Sequence, residues 1–202
     1  MRRPIRIQNL GGARAVILHR PHPTVQSLTR QLTAIGLEVT QVWPELEPAA
    51  LGADFIFFDA DMGHDGQFPW EPGASPMPMI ALIGSEAPGR IEWSLQAGAH
   101  AQMLKPVGDH GAYSALLIAR DAFDAQRLLS VEVADLRRRL DERQTVVRAV
   151  TLLAARGKTE AEAYAQLRQM AMAWRVSFED AAARIVARFA TDGGADDRLT
   201  RR

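Results

Sequence analysis

The sequence predicts an α/β body built on a doubly wound parallel sheet of five strands, followed by a long coiled-coil helix and a small all-α module of three helices. Three observations carry that expectation. The first 120 residues alternate short β-rich apolar runs with helical periods that close in glycine, the rhythm of strand–crossover–strand units. Two of the runs, ADFIFF at 53–58 and MPMIALIG at 77–84, are continuously apolar rather than alternating, as strands buried on both faces are. Between Gly111 and Gly157 no Gly or Pro occurs, a span far longer than an ordinary globular helix.

Taken in order, ARAVIL at 13–18 is the first strand. TVQSLTRQLTAIG at 24–36 sets Val25, Leu28, Leu32 and Ile35 at helical spacing before a glycine stop. LEVTQVW at 37–43 alternates as a second strand, and ADFIFF is the third. The crossover that follows holds prolines at 69, 72, 76 and 78, which forbid a regular helix, so residues 63–78 are expected to be irregular. MPMIALIG makes the fourth strand, RIEWSLQAGA a short helix and AQML a brief fifth strand.

In the uninterrupted span, Leu129, Val133, Leu136, Leu140, Arg143, Val147 and Val150 recur with alternating steps of four and three, the signature of a coiled-coil seam. Ala115, Ala119, Ala122 and Gln126 continue that register upstream with small residues. The competing reading is a long amphipathic helix packed on its own domain; sustained heptads favour a dimerisation helix. Two further helices carry start signals. TEAE at 159–162 has capping-box spacing behind Gly157, and SFED at 177–180 offers Ser177 as a cap with two acids in the first turn. Their apolar faces are Ala163, Leu167, Met170, Ala171 and Trp174, then Ala181, Ala182, Ile185, Val186 and Phe189. The expected division is 1–112 for the sheet domain, 113–144 for the coiled coil, 145–190 for the helical module and 191–202 for a frayed, flexible tail.

Composition narrows the function. The 202 residues are 47% hydrophobic with 24 Lys+Arg and 24 Asp+Glu, but the charge is unevenly placed. From Leu136 onward 14 basic residues face 9 acidic ones, leaving 10 and 15 for the first 135. A basic tail on an acidic body suits a polyanionic partner, the plainer alternative being a solvated helical face rich in arginine. Cysteine is absent, which excludes disulfides, thiolate catalysis and cysteine-bound zinc. The start, MRRPIRIQNLGG, has no apolar h-region, and no apolar run approaches the roughly 20 residues that span a bilayer. A cytoplasmic protein with no membrane contact is expected. His19, His22, His64, His100 and His110 show no metal-binding spacing, and GSEAPG lacks the lysine of a phosphate loop, so neither a metal, a cofactor nor an enzymatic activity is expected.

The amino-terminal part resembles the receiver domain of two-component response regulators, a flavodoxin-like five-stranded fold. In that family an acid pair ending strand one holds Mg²⁺, an Asp ending strand three takes the phosphoryl group, a Ser or Thr ends strand four and a Lys before Pro ends strand five. Asp59 in FIFFDADMG matches the acceptor and Lys105 in QMLKPV matches the lysine. AVILHRP puts His19 and Arg20 where the acid pair belongs, and PMIALIG puts Ile83 where the hydroxyl belongs. Phosphoryl transfer to a carboxylate needs a divalent ion on oxygen ligands, which an Arg–His pair does not supply. Asp61 is the one substitute ligand at hand, and a guanidinium can pair with Asp59 and fill the pocket instead. A degenerate phosphoacceptor pocket of Asp59, Lys105, His19, Arg20, Ile83 and Asp61 is expected.

Residues 143–186 resemble the ANTAR module of AmiR- and NasR-type transcription antitermination regulators, through Ala149, Leu152, Leu153, Gly157, Ala163, Leu167, Ala171, Met172, Arg175 and Ala182. Two departures stand out: Val150 replaces a usual lysine, and one residue fewer precedes the glycine. The alanines and leucines read as helical core, so recognition falls to polar faces. The resemblance to AmiR-like regulators implies a homodimer that binds hairpins in leader RNA and is held by a ligand-sensing negative regulator protein. Arg148, Arg156, Lys158, Arg168, Arg175, Arg184 and Arg188 are the candidate RNA contacts, Arg148, Arg168 and Arg175 first among them, since arginine forks suit phosphates and stack on unpaired bases. Tyr164 and Trp174 are candidate stacking surfaces, core packing being the competing role of Trp174. The dimer seam is assigned to Leu129, Val133, Leu136, Leu140 and Val147. Two alternatives remain at this point: a response regulator activated by phosphate on Asp59 with a nucleic-acid-binding output, and a dimeric signalling adaptor.

Overall fold

The computed structural model describes residues 10–196 and divides into two compact units, 1–128 and 129–202. The first unit holds five parallel strands in the order β2-β1-β3-β4-β5, namely β1 (Arg14–Leu18), β2 (Glu38–Val42), β3 (Phe55–Asp59), β4 (Met79–Ile83) and β5 (Ala101–Leu104). This is the flavodoxin-like order, in which the chain reverses direction across the sheet beside β1 and β3. The register places Leu18 opposite Phe58 and Asp59 opposite Leu82, which brings the carboxyl ends of the central strands level with one another.

Strand alternation sorts the core into two layers. Phe55 and Phe57 pack with Val25, Leu28 and Leu32 of α1 (Pro23–Ile35) and with Ala112, Ala115, Leu116 and Ala119 at the start of α3 (Ala112–Ala154). Ile56 and Phe58 face the other way, onto Leu46, Ala50, Met77 and Ala97, with Phe68, Trp70 and Trp93 at the margin. All five residues of β3 and of β4 are buried, as their unbroken apolar runs require. The crossover between β3 and β4 carries a single 3₁₀ turn (Asp65–Gln67), in keeping with its prolines, and the β2–β3 crossover likewise has only a 3₁₀ turn (Pro48–Gly52). The helix α2 (Pro88–Gln96) completes the layer beside β4. The helix α1 is capped by the His22 ring, which accepts the Thr24 N–H at 3.2 Å, and ends at Gly36 with φ 99°.

In the second unit α3 is followed by α4 (Glu160–Trp174) and α5 (Phe178–Asp196). The capping box forms as the sequence specifies: Thr159 Oγ1 accepts the Glu162 N–H, and the Thr159 N–H donates to Glu162 Oε2 at 2.8 Å. Ser177 Oγ accepts the Asp180 N–H at 3.0 Å. Ala149, Val150, Leu153, Ala163, Leu167, Ala171, Ala181, Ala182 and Ile185 make the core of this unit. Alanine at five of these nine places lets the helices approach closely.

Two expectations about the long helix are corrected. Ala115 and Ala119 do not continue an exposed seam; they are buried against the sheet of the first unit, because small residues are what a helix needs to lie close on a strand layer. Val150 is not a seam position either. It is 8% exposed within the helical core, since the drift between 3.6 and 3.5 residues per turn has by then moved the stripe toward α4 and α5. The backbone of α5 runs to Asp196, past the point where a flexible tail was expected; 197–202 lie outside the described residues, as do 1–9.

Candidate functional site

The carboxyl edge of the sheet gathers the pocket. Asp59 is the last residue of β3, Ile83 the last of β4, and His19 and Lys105 follow β1 and β5 directly. Asp59 is 1% exposed and has three polar neighbours, two of which donate to it. Lys105 Nζ lies 2.7 Å from its Oδ1, the Asp61 N–H donates to the same oxygen at 3.0 Å, and His19 Nε2 lies 3.2 Å from Oδ2. The Lys105 ammonium also contacts Asp61 Oδ2, so one cation is shared by two carboxylates. An ammonium already sits where a divalent cation bridging Asp59 and Asp61 would have to go. Among the described residues no group of three His, Asp or Glu side chains is placed to hold a metal ion.

The His19 ring, and not the Arg20 side chain, lines the pocket beside Asp59. Its Nδ1–H donates to the Arg20 carbonyl at 2.7 Å, which leaves Nε2 facing the carboxylate. Burial pushes the imidazole below its ordinary pKa, against the opposing pull of the Arg20 carbonyl and of Asp59. The ring is therefore neutral near pH 7, and its buried Nε2 makes no directed hydrogen bond to Asp59. Arg20 itself is exposed and contributes its backbone carbonyl. The expectation that a guanidinium fills the pocket is thus corrected: a 1%-exposed imidazole does so, because the short stem of His19 reaches Asp59 without carrying a fixed charge out of water. Ile83 is buried in the apolar layer with Phe58 and Ala81 and offers no hydroxyl to the site.

Sequence reasoning missed two backbone donors. The Gly84 N–H donates to Asp61 Oδ2 at 2.8 Å and the Ser85 N–H to Oδ1 at 2.9 Å. Burial alone would raise the Asp61 pKa, but Lys105 and these two N–H groups outweigh it and hold the carboxyl below its usual range. The only signal in the sequence was a glycine directly after an apolar strand, which is too common to single out.

In the helical unit every candidate contact, Arg148, Arg156, Lys158, Arg168, Arg175, Arg184 and Arg188, is exposed. Three of the arginines are steered by aromatic rings: Arg156 lies 4.4 Å from the Phe189 centroid, Arg168 5.8 Å from Tyr164 and Arg184 5.7 Å from Trp174. Tyr164 also meets Phe178, with ring centroids 4.9 Å apart. Trp174 is 37% exposed and Met172 69%, so the tryptophan is not the core residue that its place on the apolar face of the helix implied. Both sit near the end of α4, just before the chain turns through Arg175 at φ 53°. Along α3, Leu129, Val133, Leu136, Leu140 and Val147 are between 43% and 66% exposed.

A parallel sheet in receiver order, a buried aspartate and lysine at its carboxyl edge and a trailing three-helix unit define a receiver-like regulator with a helical output. The family described as AmiR, N-terminal, matches residues 13–120, and the ANTAR domain matches 134–186. The chain belongs to the AmiR family and is an AmiR-like ANTAR regulator with a receiver-like amino-terminal unit. Among solved structures it is similar to a response regulator from Thermotoga maritima, at 18% identity and TM-score 0.43, over 54% of this chain and 98% of that one. It is also similar to full-length FixJ from B. japonicum, at 17% identity and TM-score 0.43, over 90% and 98%. No curated protein matches the chain significantly. Among the described residues no helix is long and apolar enough to cross a membrane.

Proposed function

We propose that this chain is a dimeric RNA-binding transcription antitermination regulator, controlled by contact with a partner protein rather than by phosphorylation. The observation that carries the reading is the ANTAR-matched helical unit, which presents Arg168, Arg175 and Arg184 beside the exposed rings of Tyr164 and Trp174. Cations next to accessible aromatic faces suit RNA loops, where phosphates take the charge and unpaired bases take the stacking. The exposed row from Leu129 to Val147 supports self-association through α3, since isolated apolar heptads gain stability by pairing. Control by protein contact is supported by the state of Asp59, buried and already engaged by Lys105. A ligand-sensing negative regulator that grips the receiver-like unit is the class of partner this arrangement suits. The division into pseudo-receiver, coiled coil and RNA-binding module at 112, 144 and 190 belongs to the same proposal, as does a cytoplasmic setting.

The test is binding of the full chain to a leader-RNA hairpin over a salt series. Affinity should fall steeply with salt, and Arg168→Gln and Arg175→Gln should each flatten the slope by about one. A salt-insensitive complex would defeat the RNA reading. The phosphate-activated reading has its own assay. Incubation with acetyl phosphate and Mg²⁺ should leave the protein unmodified, and modification lost in Asp59→Asn would establish it instead.

A further inference from the structure

The Asp61 carboxylate sits in a set of donors more complete than a surface acid requires. Two consecutive backbone N–H groups, Gly84 and Ser85, point at its two oxygens, and the Lys105 ammonium closes on Oδ2. Consecutive N–H dipoles converging with a fixed cation form an oxyanion receptor, which binds carboxylate and phosphate oxygens alike. The space is also shaped for an anion. A Cβ on Gly84 would fall 2.6 Å from Asp61 Oδ2 and 3.2 Å from Lys105 Cε, so the strand end leaves room for the oxygens only because residue 84 has no side chain.

We propose that this cradle is an oxyanion site whose ligand is supplied by the chain itself: Asp61 occupies the place of a free or covalently attached phosphate-class anion and latches the loop after β4 to β3 and β5 without modification. The linkage makes the occupancy permanent. Asp61 lies two residues beyond Asp59 and donates its own N–H to that side chain, so the carboxylate is tethered within reach and competes at a high effective concentration. A phosphoryl group on Asp59 Oδ1 or Oδ2 would meet an occupied cradle and a second negative charge. The inference concerns the first unit alone and stands whatever the helical unit binds.

The experiment is residue-resolved amide hydrogen exchange on ¹⁵N-labelled full-length chain, as wild type, Asp61→Ala and Asp61→Asn, with and without inorganic phosphate and with chloride as the ionic-strength control. Wild-type Gly84 and Ser85 amides should be protected and unmoved by phosphate. Asp61→Ala should speed their exchange by about tenfold or more, the factor that matches loss of a charge-assisted hydrogen bond. Phosphate, but not chloride, should restore protection in that variant. Asp61→Asn keeps acceptor and volume while losing the charge, and should fall between the two. The idea is overturned if phosphate shifts the wild-type amides, if neither variant changes their protection, or if phosphate restores none of it. RNA binding is not a readout, so failure here leaves the proposed function untouched.

Discussion

Asp61 Oδ2 accepts the Gly84 N–H at 2.8 Å, and a Cβ on Gly84 would lie 2.6 Å from that same oxygen. Closeness of backbone and carboxylate makes the pair a unit. Gly84→Ala should therefore destabilise the first unit by about 1–3 kcal/mol, the usual cost of overpacking. In an Asp61→Ala background the same change should cost much less, and the coupling is read from a double-mutant cycle of urea unfolding.

Lys105 is the single cation between two carboxylates, 13% exposed beside an Asp59 that is 1% exposed. Lys105→Met leaves Asp59 buried without its charge partner and should cost about 3–5 kcal/mol by chemical denaturation. Adding Asp59→Asn should recover part of that loss, because the stranded charge goes with it.

His19 and His100 both titrate below the ordinary histidine value, chiefly because burial disfavours the charged ring. For His100 the geometry agrees: its Nδ1 accepts the Met79 N–H at 3.2 Å, and a second ring proton would evict that bond. A base with a depressed folded pKa binds fewer protons folded than unfolded. Its stabilisation is thus complete above about pH 6.5 and is lost as pH falls below it. Thermal stability of the first unit should drop between about pH 6.5 and 5, and His100→Gln should reduce that dependence.

Arg175 caps α4 with φ 53°, a conformation that costs a side-chain-bearing residue about 1 kcal/mol. Arg175→Gly should raise the melting temperature of the helical unit while weakening RNA binding, since it relieves the backbone and removes a charge. Parallel melting and binding measurements separate the two effects. Loss of both together would place Arg175 in the fold rather than in recognition.

The exposed seam predicts its own test. Leu136→Asn with Leu140→Asn replaces two residues that are 57% and 55% exposed, so neither change should disturb the core of a single chain. Sedimentation should show the full-length protein pass from dimer to monomer, with the circular dichroism of both units retained.

Much of this architecture was legible in order. The unbroken apolar runs of β3 and β4, the proline-rich crossover and the capping signals at Thr159 and Ser177 act over a few residues, and each appears where the pattern placed it. The helical period misled wherever a second surface intervened. Ala115, Ala119 and Val150 keep the heptad spacing, but the sheet claims the first two and the helical core the third. The partial exposure of Trp174 was equally illegible, because it depends on how α5 packs at the end of α4.

The sequence by itself determined the order of the strands' chemistry: that Asp59 and Lys105 would meet at one edge of a parallel sheet, and that no acid pair would stand after β1. Tertiary structure alone decided which groups fill the space, seating His19 rather than Arg20 against Asp59 and turning Asp61 onto the Gly84 and Ser85 amides. The reason is physical. Strand ends are positioned by local apolar patterning, whereas a pocket's occupant is chosen by reach, desolvation and the direction of backbone N–H groups, which come together only when distant segments fold to the same point.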